Sequence, residues 1–166
     1  MPLNVVKWIR SFISPSKKFA IRPTQKPEIF ECALSKTHIS SNALKVISRL
    51  KGHGFQAYLI GGCVRDTLLG HRPKDFDVAT NARPDQIRSL FSNCRIIGKR
   101  FLLAHILFQQ EIIELATFRA CSSTNKEAKI LAHDNTFGTI EQDVLRRDFT
   151  LNALYYNPVD QQIVDL

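Results

Sequence analysis

The chain has 166 residues, 44% of them hydrophobic and 23% charged, which suits one soluble globular domain with a real core. Its formal charge of +8 is placed unevenly: residues 1–27 hold six basic side chains and no acid, whereas the remainder carries 17 basic against 15 acidic ones. The basic character thus belongs to the leader, and the overall charge does not by itself imply nucleic-acid affinity. No apolar run approaches the roughly 20 residues that a membrane helix needs.

Taken in chain order, Met1 to Ile13 sets Leu3, Val6, Ile9 and Ile13 near one helical face. A short amphipathic helix making weak contact with an anionic membrane surface, or a basic arm touching RNA, stands against an extended leader. Lys7 and Arg10 interrupt the apolar stretch and argue against a signal peptide. Pro15, Pro23 and Pro27 mark residues 14–37 as a linker or loosely packed arm, dividing the chain into a leader, 1–37, and a domain, 38–166.

Order is expected to begin near Ser40 and Ser41, either of which can cap a helix with Ala43, Val46, Ile47 and Leu50 at core-face spacing. Phe55–Ile60 reads as a strand, Cys63–Leu69 as a short helix stopped by Gly70, and Asp75–Ala79 as a second strand. Pro84 opens a helix through Phe91. Arg95–Ile97, Ala104–Phe108 and Glu111–Ala116 are strand candidates, the last two a hairpin around Gln109–Gln110. Residues 120–136 read as a polar loop, Ile140–Arg147 as a helix, Asp148–Leu154 as a further helical turn, and the end as a hairpin around Asn157–Pro158. Strands mixed with helices around one sheet give an α/β (α+β) domain.

Cys32, Cys63, Cys94 and Cys121 form no C-x-x-C pair, and the five histidines make no zinc-ligand spacing with them. They read as reduced thiols of a cytoplasmic protein, with no zinc.

Two motifs carry the chemistry. Asp75 and Asp77 stand at i and i+2 of a strand, so both carboxylates share a face while Phe76 points into the core. Like charges held that close call for a cation, and Mg²⁺ favours carboxylate oxygens shared with a substrate's phosphates. Upstream, Gly61–Gly62 ends a strand and opens a helix, where backbone can approach a phosphate without a Cβ in the way. Arg65 can fork onto a triphosphate. Asp66 reads as a partner for a backbone amide or an arginine, or else as a further metal ligand. Together these propose a metal-dependent nucleotidyl-transfer site with two ions, one activating a 3′-hydroxyl and the other steadying pyrophosphate.

Glu114, on a strand face with Ile112 and Ala116, lines the same cleft or closes a salt bridge. Arg119 at that strand's exit is a phosphate or RNA contact, or a solvent-exposed side chain. Arg146, Arg147, Asp148 and Asn152 suit the floor of a nucleotide pocket, or else a capping Asp beside surface arginines.

Four motifs in order, Gly-Gly-x-Val-Arg-Asp, Leu-Leu-Gly-x-x-Pro-Lys-Asp-Phe-Asp-Val, Glu-x-x-Thr-Phe-Arg and Arg-Arg-Asp-Phe-Thr-x-Asn, resemble the head of the bacterial class II nucleotidyltransferases, over roughly residues 38–166. That group holds poly(A) polymerases and CCA-adding enzymes. The stretch Arg95–His105 is more similar to the polymerase type. The resemblance implies a polymerase-β-like head, with a mixed sheet flanked by helices, that transfers AMP from ATP to RNA 3′ ends with Mg²⁺. It implies metal ligation by Asp75 and Asp77, with Asp148 completing the catalytic set. Nucleotide contacts are implied for Gly62, Arg65 and Arg147, with Gly61 and Asn152 beside them. CCA addition to tRNA is the alternative within the family. A truncated, inactive nucleotide- or RNA-binding remnant is the alternative outside it, because the sequence stops at Leu166 and the neck, body and tail of the family are expected to be absent. That expectation carries two others, little polymerase activity in the isolated chain and apolar surface prone to self-association.

Overall fold

The computed structural model describes residues 27–34, 36–99, 101–120 and 136–166. The amphipathic segment at the N-terminus and most of the loop read at 120–136 lie outside these residues.

Eight strands form one sheet: β1 (Glu28–Glu31), β2 (Ala57–Ile60), β3 (Phe76–Thr80), β4 (Cys94–Ile97), β5 (Leu103–Leu107), β6 (Ile112–Thr117), β7 (Tyr155–Asn157) and β8 (Gln162–Asp165). Their order across the sheet is β1-β8-β7-β2-β3-β6-β5-β4. β3 and β6 run parallel at its centre, and every other neighbouring pair is antiparallel. The mixed α/β architecture read from the sequence is the one observed.

The helices are α1 (Ser41–Gly52), α2 (Gly62–Leu68), α3 (Pro84–Leu90) and α4 (Ile140–Leu145), with 3₁₀ turns at Lys36–His38 and Thr150–Asn152. Ser40 caps α1, its hydroxyl accepting from the amides of Asn42 and Ala43 at 3.1 and 3.3 Å. Ala43, Val46, Ile47 and Leu50 then fall on the buried face, as their spacing predicts. α1 and α3 cover one face of the sheet, where Leu59, Val78, Ile87, Ile106, Ile113 and Leu115 join that stripe in the main core. Phe76 is buried there too, so the strand alternation leaves Asp77 on the opposite face. On that opposite face α4 packs over only part of the sheet, where Ile60, Ala79, Phe118, Ile140 and Tyr155 make a smaller cluster.

Two sequence expectations need correction. Glu28–Glu31, read as part of a loose arm, is a strand of the domain. It pairs with β8, and the chain after it is anchored by Cys32 N–H donating to Gln161 O at 2.8 Å and by the buried side chains of Cys32 and Leu34. Pro27 sits just before this edge strand, a position where its missing N–H removes no central ladder bond. Asp75 also lies just outside β3, which begins at Phe76, so the two acids are not both strand residues.

Ile47 is fully buried, whereas Ile29 on the edge strand is 58% exposed. Ile47→Ala is expected to lower the free energy of unfolding in urea by about 2–5 kcal/mol, and Ile29→Ala by less than about 0.5 kcal/mol.

Candidate active site

The parallel ladder between β3 and β6 sets Asp77 directly beside Glu114, on strands about 4.8 Å apart. The neighbouring registers extend this into a row across the open face: Tyr155, Ile60, Asp77, Glu114, His105 and Arg95. Acids therefore occupy the sheet's centre, with basic groups outward on β5 and β4. His105 Nε2 lies 3.4 Å from Glu114 Oε2.

Crowding marks Asp77. Burial, then the charges of Glu114 and Asp75, push its carboxyl from the ordinary 3.8 up to about 6, against the opposing pull of Arg147. Asp77 is nonetheless exposed, on the face of the sheet that α4 covers only in part, within reach of solvent. Asp75, one residue before β3, is exposed as well.

Gly61 stands beside Asp77, at the junction of β2 and α2, with φ 77° and ψ −142°. An L side chain there would be strained, and a Cβ would come within 3.6 Å of Asp77 Oδ2. Beyond it Arg65 is held on two sides. Its Nε and Nη2 each donate to Asp66 Oδ1 at 2.8 Å, and its Nη1 donates to Asn152 Oδ1 at 3.1 Å. Of the two readings for Asp66, the structure thus shows the arginine partner, and it ties Asn152 to the same guanidinium.

A second cluster forms behind the cleft around Asp143, a residue that none of the sequence motifs includes. Its side chain is 1% exposed. Oδ1 takes the amide of Arg119 at 3.1 Å and Arg146 Nε at 2.8 Å, with Arg146 Nη2 alongside. Oδ2 takes Arg147 Nη2 at 2.9 Å, Arg147 Nε at 3.2 Å and the Tyr155 hydroxyl at 2.7 Å. Burial alone would raise this carboxyl, but the Tyr155 hydrogen bond, the Arg147 charge and the remaining donors together hold it below its ordinary value. A signal was present in the sequence: Asp143 precedes Arg146 and Arg147 by three and four residues, the spacing at which helical side chains meet. The arginines of this motif are therefore not surface side chains beside a capping acid.

Arg119 is buried rather than solvent-exposed. Its guanidinium lies 4.8 Å over the Phe101 ring and donates to Leu102 O at 3.4 Å. Asp148 is exposed, in the turn after α4, and makes no ion pair among the described residues. His105 closes the Arg95–His105 stretch in the sequence, but its place beside Glu114 comes only with the β5–β6 register.

The donor set suits a hard divalent cation. No group of three or more His, Cys, Asp or Glu side chains forms a metal cage among the described residues. Burial first, and then the charges of Glu114 and Asp75, nevertheless raise the proton affinity of Asp77, and a cation at these oxygens would offset the acids' charge. Mg²⁺ commonly takes one or two carboxylates and leaves its other positions to water and substrate phosphates.

Because the raised value means that ionised Asp77 costs stability at neutral pH, the effect has a definite sign. Asp77→Asn is expected to stabilise the metal-free chain above pH 6, by about 1 kcal/mol or a few degrees in Tm once solvent screening at this accessible carboxylate is allowed for. That advantage should vanish below the unfolded value of 3.8 in a thermal-melt series across pH.

Comparisons with known proteins identify the family and the fold. Residues 57–166 match the family described as Poly A polymerase head domain. Poly(A) polymerase I of Haemophilus influenzae is 55% identical over 141 residues, covering 80% of this chain and 31% of that protein. Poly(A) polymerase I of Salmonella typhi is 46% identical over a 176-residue alignment, covering 98% of this chain and 38% of that protein. The chain therefore spans about a third of the length of the curated relatives it matches. Among solved structures, the CCA-adding enzyme of Bacillus stearothermophilus in complex with CTP superposes with a TM-score of 0.62 at 33% identity, covering 74% of this chain and 28% of that one. With a family match over residues 57–166 and relatives 46–55% identical across most of its length, this chain belongs to the poly(A) polymerase head-domain family of nucleotidyltransferases.

Proposed function

We propose that this chain is the catalytic head of a polynucleotide adenylyltransferase, which transfers AMP from ATP to the 3′ end of RNA. The observation that carries the reading is the β3–β6 register, which sets Asp77 beside Glu114 with the Gly61–Gly62 turn and Arg147 facing the same cleft. Asp75 and Asp77 would hold Mg²⁺, with Glu114 as a third acid within its field. Mg²⁺ there supplies charge neutralisation at the reacting phosphate and a lowered pKa at the attacking hydroxyl.

The chain's own residues bind and orient. Gly61 and Gly62 let backbone approach the triphosphate with no side chain between, and Arg65 stands beside them, fixed by Asp66 and Asn152. Arg147 adds positive charge near Asp77, suited to the charge that builds on the leaving pyrophosphate. In this reading Asp148, next to Arg147 on an exposed turn, completes the catalytic set with Asp75 and Asp77. The work is mostly positioning and charge stabilisation, as befits phosphoryl chemistry.

CCA addition remains the second reading, favoured by the structural likeness to the B. stearothermophilus enzyme. The higher identity to poly(A) polymerase I supports adenylate transfer over it. The described helices include none long and apolar enough to cross a membrane.

Isothermal titration of the chain with ATP in the presence and absence of Mg²⁺ tests the site. Replacing Asp75 and Asp77 together by Asn should weaken Mg²⁺-dependent ATP binding by at least about tenfold, or about 1.4 kcal/mol. Unchanged Mg²⁺-dependent affinity in that variant would remove the two acids from the site.

A further inference from the structure

We infer that Asp143 and Tyr155 are positioning residues for the reaction, which fix the Arg147 guanidinium in one orientation and so set the affinity for the nucleotide's phosphates. This rests on the reading of the cleft as a Mg²⁺–nucleotide site.

The geometry is that of a built support. An arginine has five N–H donors in a rigid fork, and the edge used for one partner decides where the other edge points. In Arg147, Nε and Nη2 both turn inward, to Asp143 Oδ2 at 3.2 and 2.9 Å. Nε also reaches the Tyr155 hydroxyl at 3.2 Å, and that hydroxyl in turn donates to the same carboxylate oxygen at 2.7 Å. The three groups close a triangle in which no member can rotate without breaking two hydrogen bonds. Nη1 has no hydrogen-bond acceptor among the described residues, and the charge of Arg147 is felt at Asp77. One edge is therefore locked and the other is left for a phosphate.

The supports belong to the site and not merely to the core. Tyr155 stands on β7 opposite Ile60, which stands on β2 opposite Asp77, so the hydroxyl that anchors the triangle rises from the same cross-strand row as the acids. Asp143 is also charge-matched in an unusual way. Two guanidiniums share one carboxylate, so the cluster keeps a net positive charge although its acid is buried. A purely structural buried pair would be neutral; this one holds a surplus cation beside a cleft rich in acid, where an incoming polyphosphate would be drawn.

A double-mutant cycle on the full chain, read by titration with ATP and Mg²⁺, tests the inference. Asp143→Asn is expected to raise the Kd for ATP by at least about fivefold in the unaltered background and by less than about twofold in an Arg147→Ala background. Tyr155→Phe, which keeps the carboxylate and the ring, should show the same pattern at about threefold, and it becomes the deciding variant if Asp143→Asn does not fold. Losses that multiply in the Arg147→Ala background, or a Kd unmoved by both variants, would overturn the positioning role while leaving the nucleotide site in place. Failure of the unaltered chain to bind ATP with Mg²⁺ would overturn the functional reading, and this inference with it.

Discussion

The site depends on one constraint: β3 and β6 lie parallel and adjacent at the centre of the sheet, so that an acid on each is forced against the other. Antiparallel neighbours could vary their register by changing a short turn, but a parallel pair is fixed by the elements that cross between them. Here the crossover from Thr80 to Ile112 contains α3, β4 and β5, all packed on the same sheet. The repulsion between Asp77 and Glu114 is thus built in by the architecture. It is tolerated because the helix-covered face of the same strands buries Val78, Ile113 and Leu115. The apolar face supplies the stability that the polar face gives up.

The arginine cluster follows the same logic with the signs reversed. Asp143 pairs with Arg146 and Arg147, Asp66 and Asn152 hold Arg65, and the charge of Arg147 is felt at Asp77. Each functional charge has a second residue that fixes its direction. The long basic side chains therefore do not wander, and little conformational entropy is lost when a ligand is engaged.

Much of this was legible in the sequence. The helix stripe of α1, the Gly61–Gly62 turn, Phe76 pointing inward from between two acids and the hairpin at Gln109–Gln110 all follow from period and turn chemistry, and all are present. Two things were not. The β1 strand is only four residues long with glutamates at both ends, and its place in the sheet depends on a partner, β8, more than a hundred residues away, which no local pattern encodes. The partnership of Asp77 with Glu114 is likewise a matter of register between distant strands, so Glu114 read equally well as a cleft acid or a salt-bridge partner. Asp143 carried a local signal in its spacing to the arginines, but its burial came only with Tyr155 and Arg119.

The central parallel pair also bears on how the protein comes to be folded. Asp77 and Glu114 cannot meet until the intervening crossover has been laid down, and Asp143 and Tyr155 are added from still farther along the chain. Contacts of that separation form late, because loop closure must precede any gain from them. A growing or partly unfolded chain therefore keeps Asp77 and Glu114 apart, while Asp143 can already meet Arg146 and Arg147 within one helical turn. The pairing of the two acids and the completion of the central sheet therefore arrive in the same event.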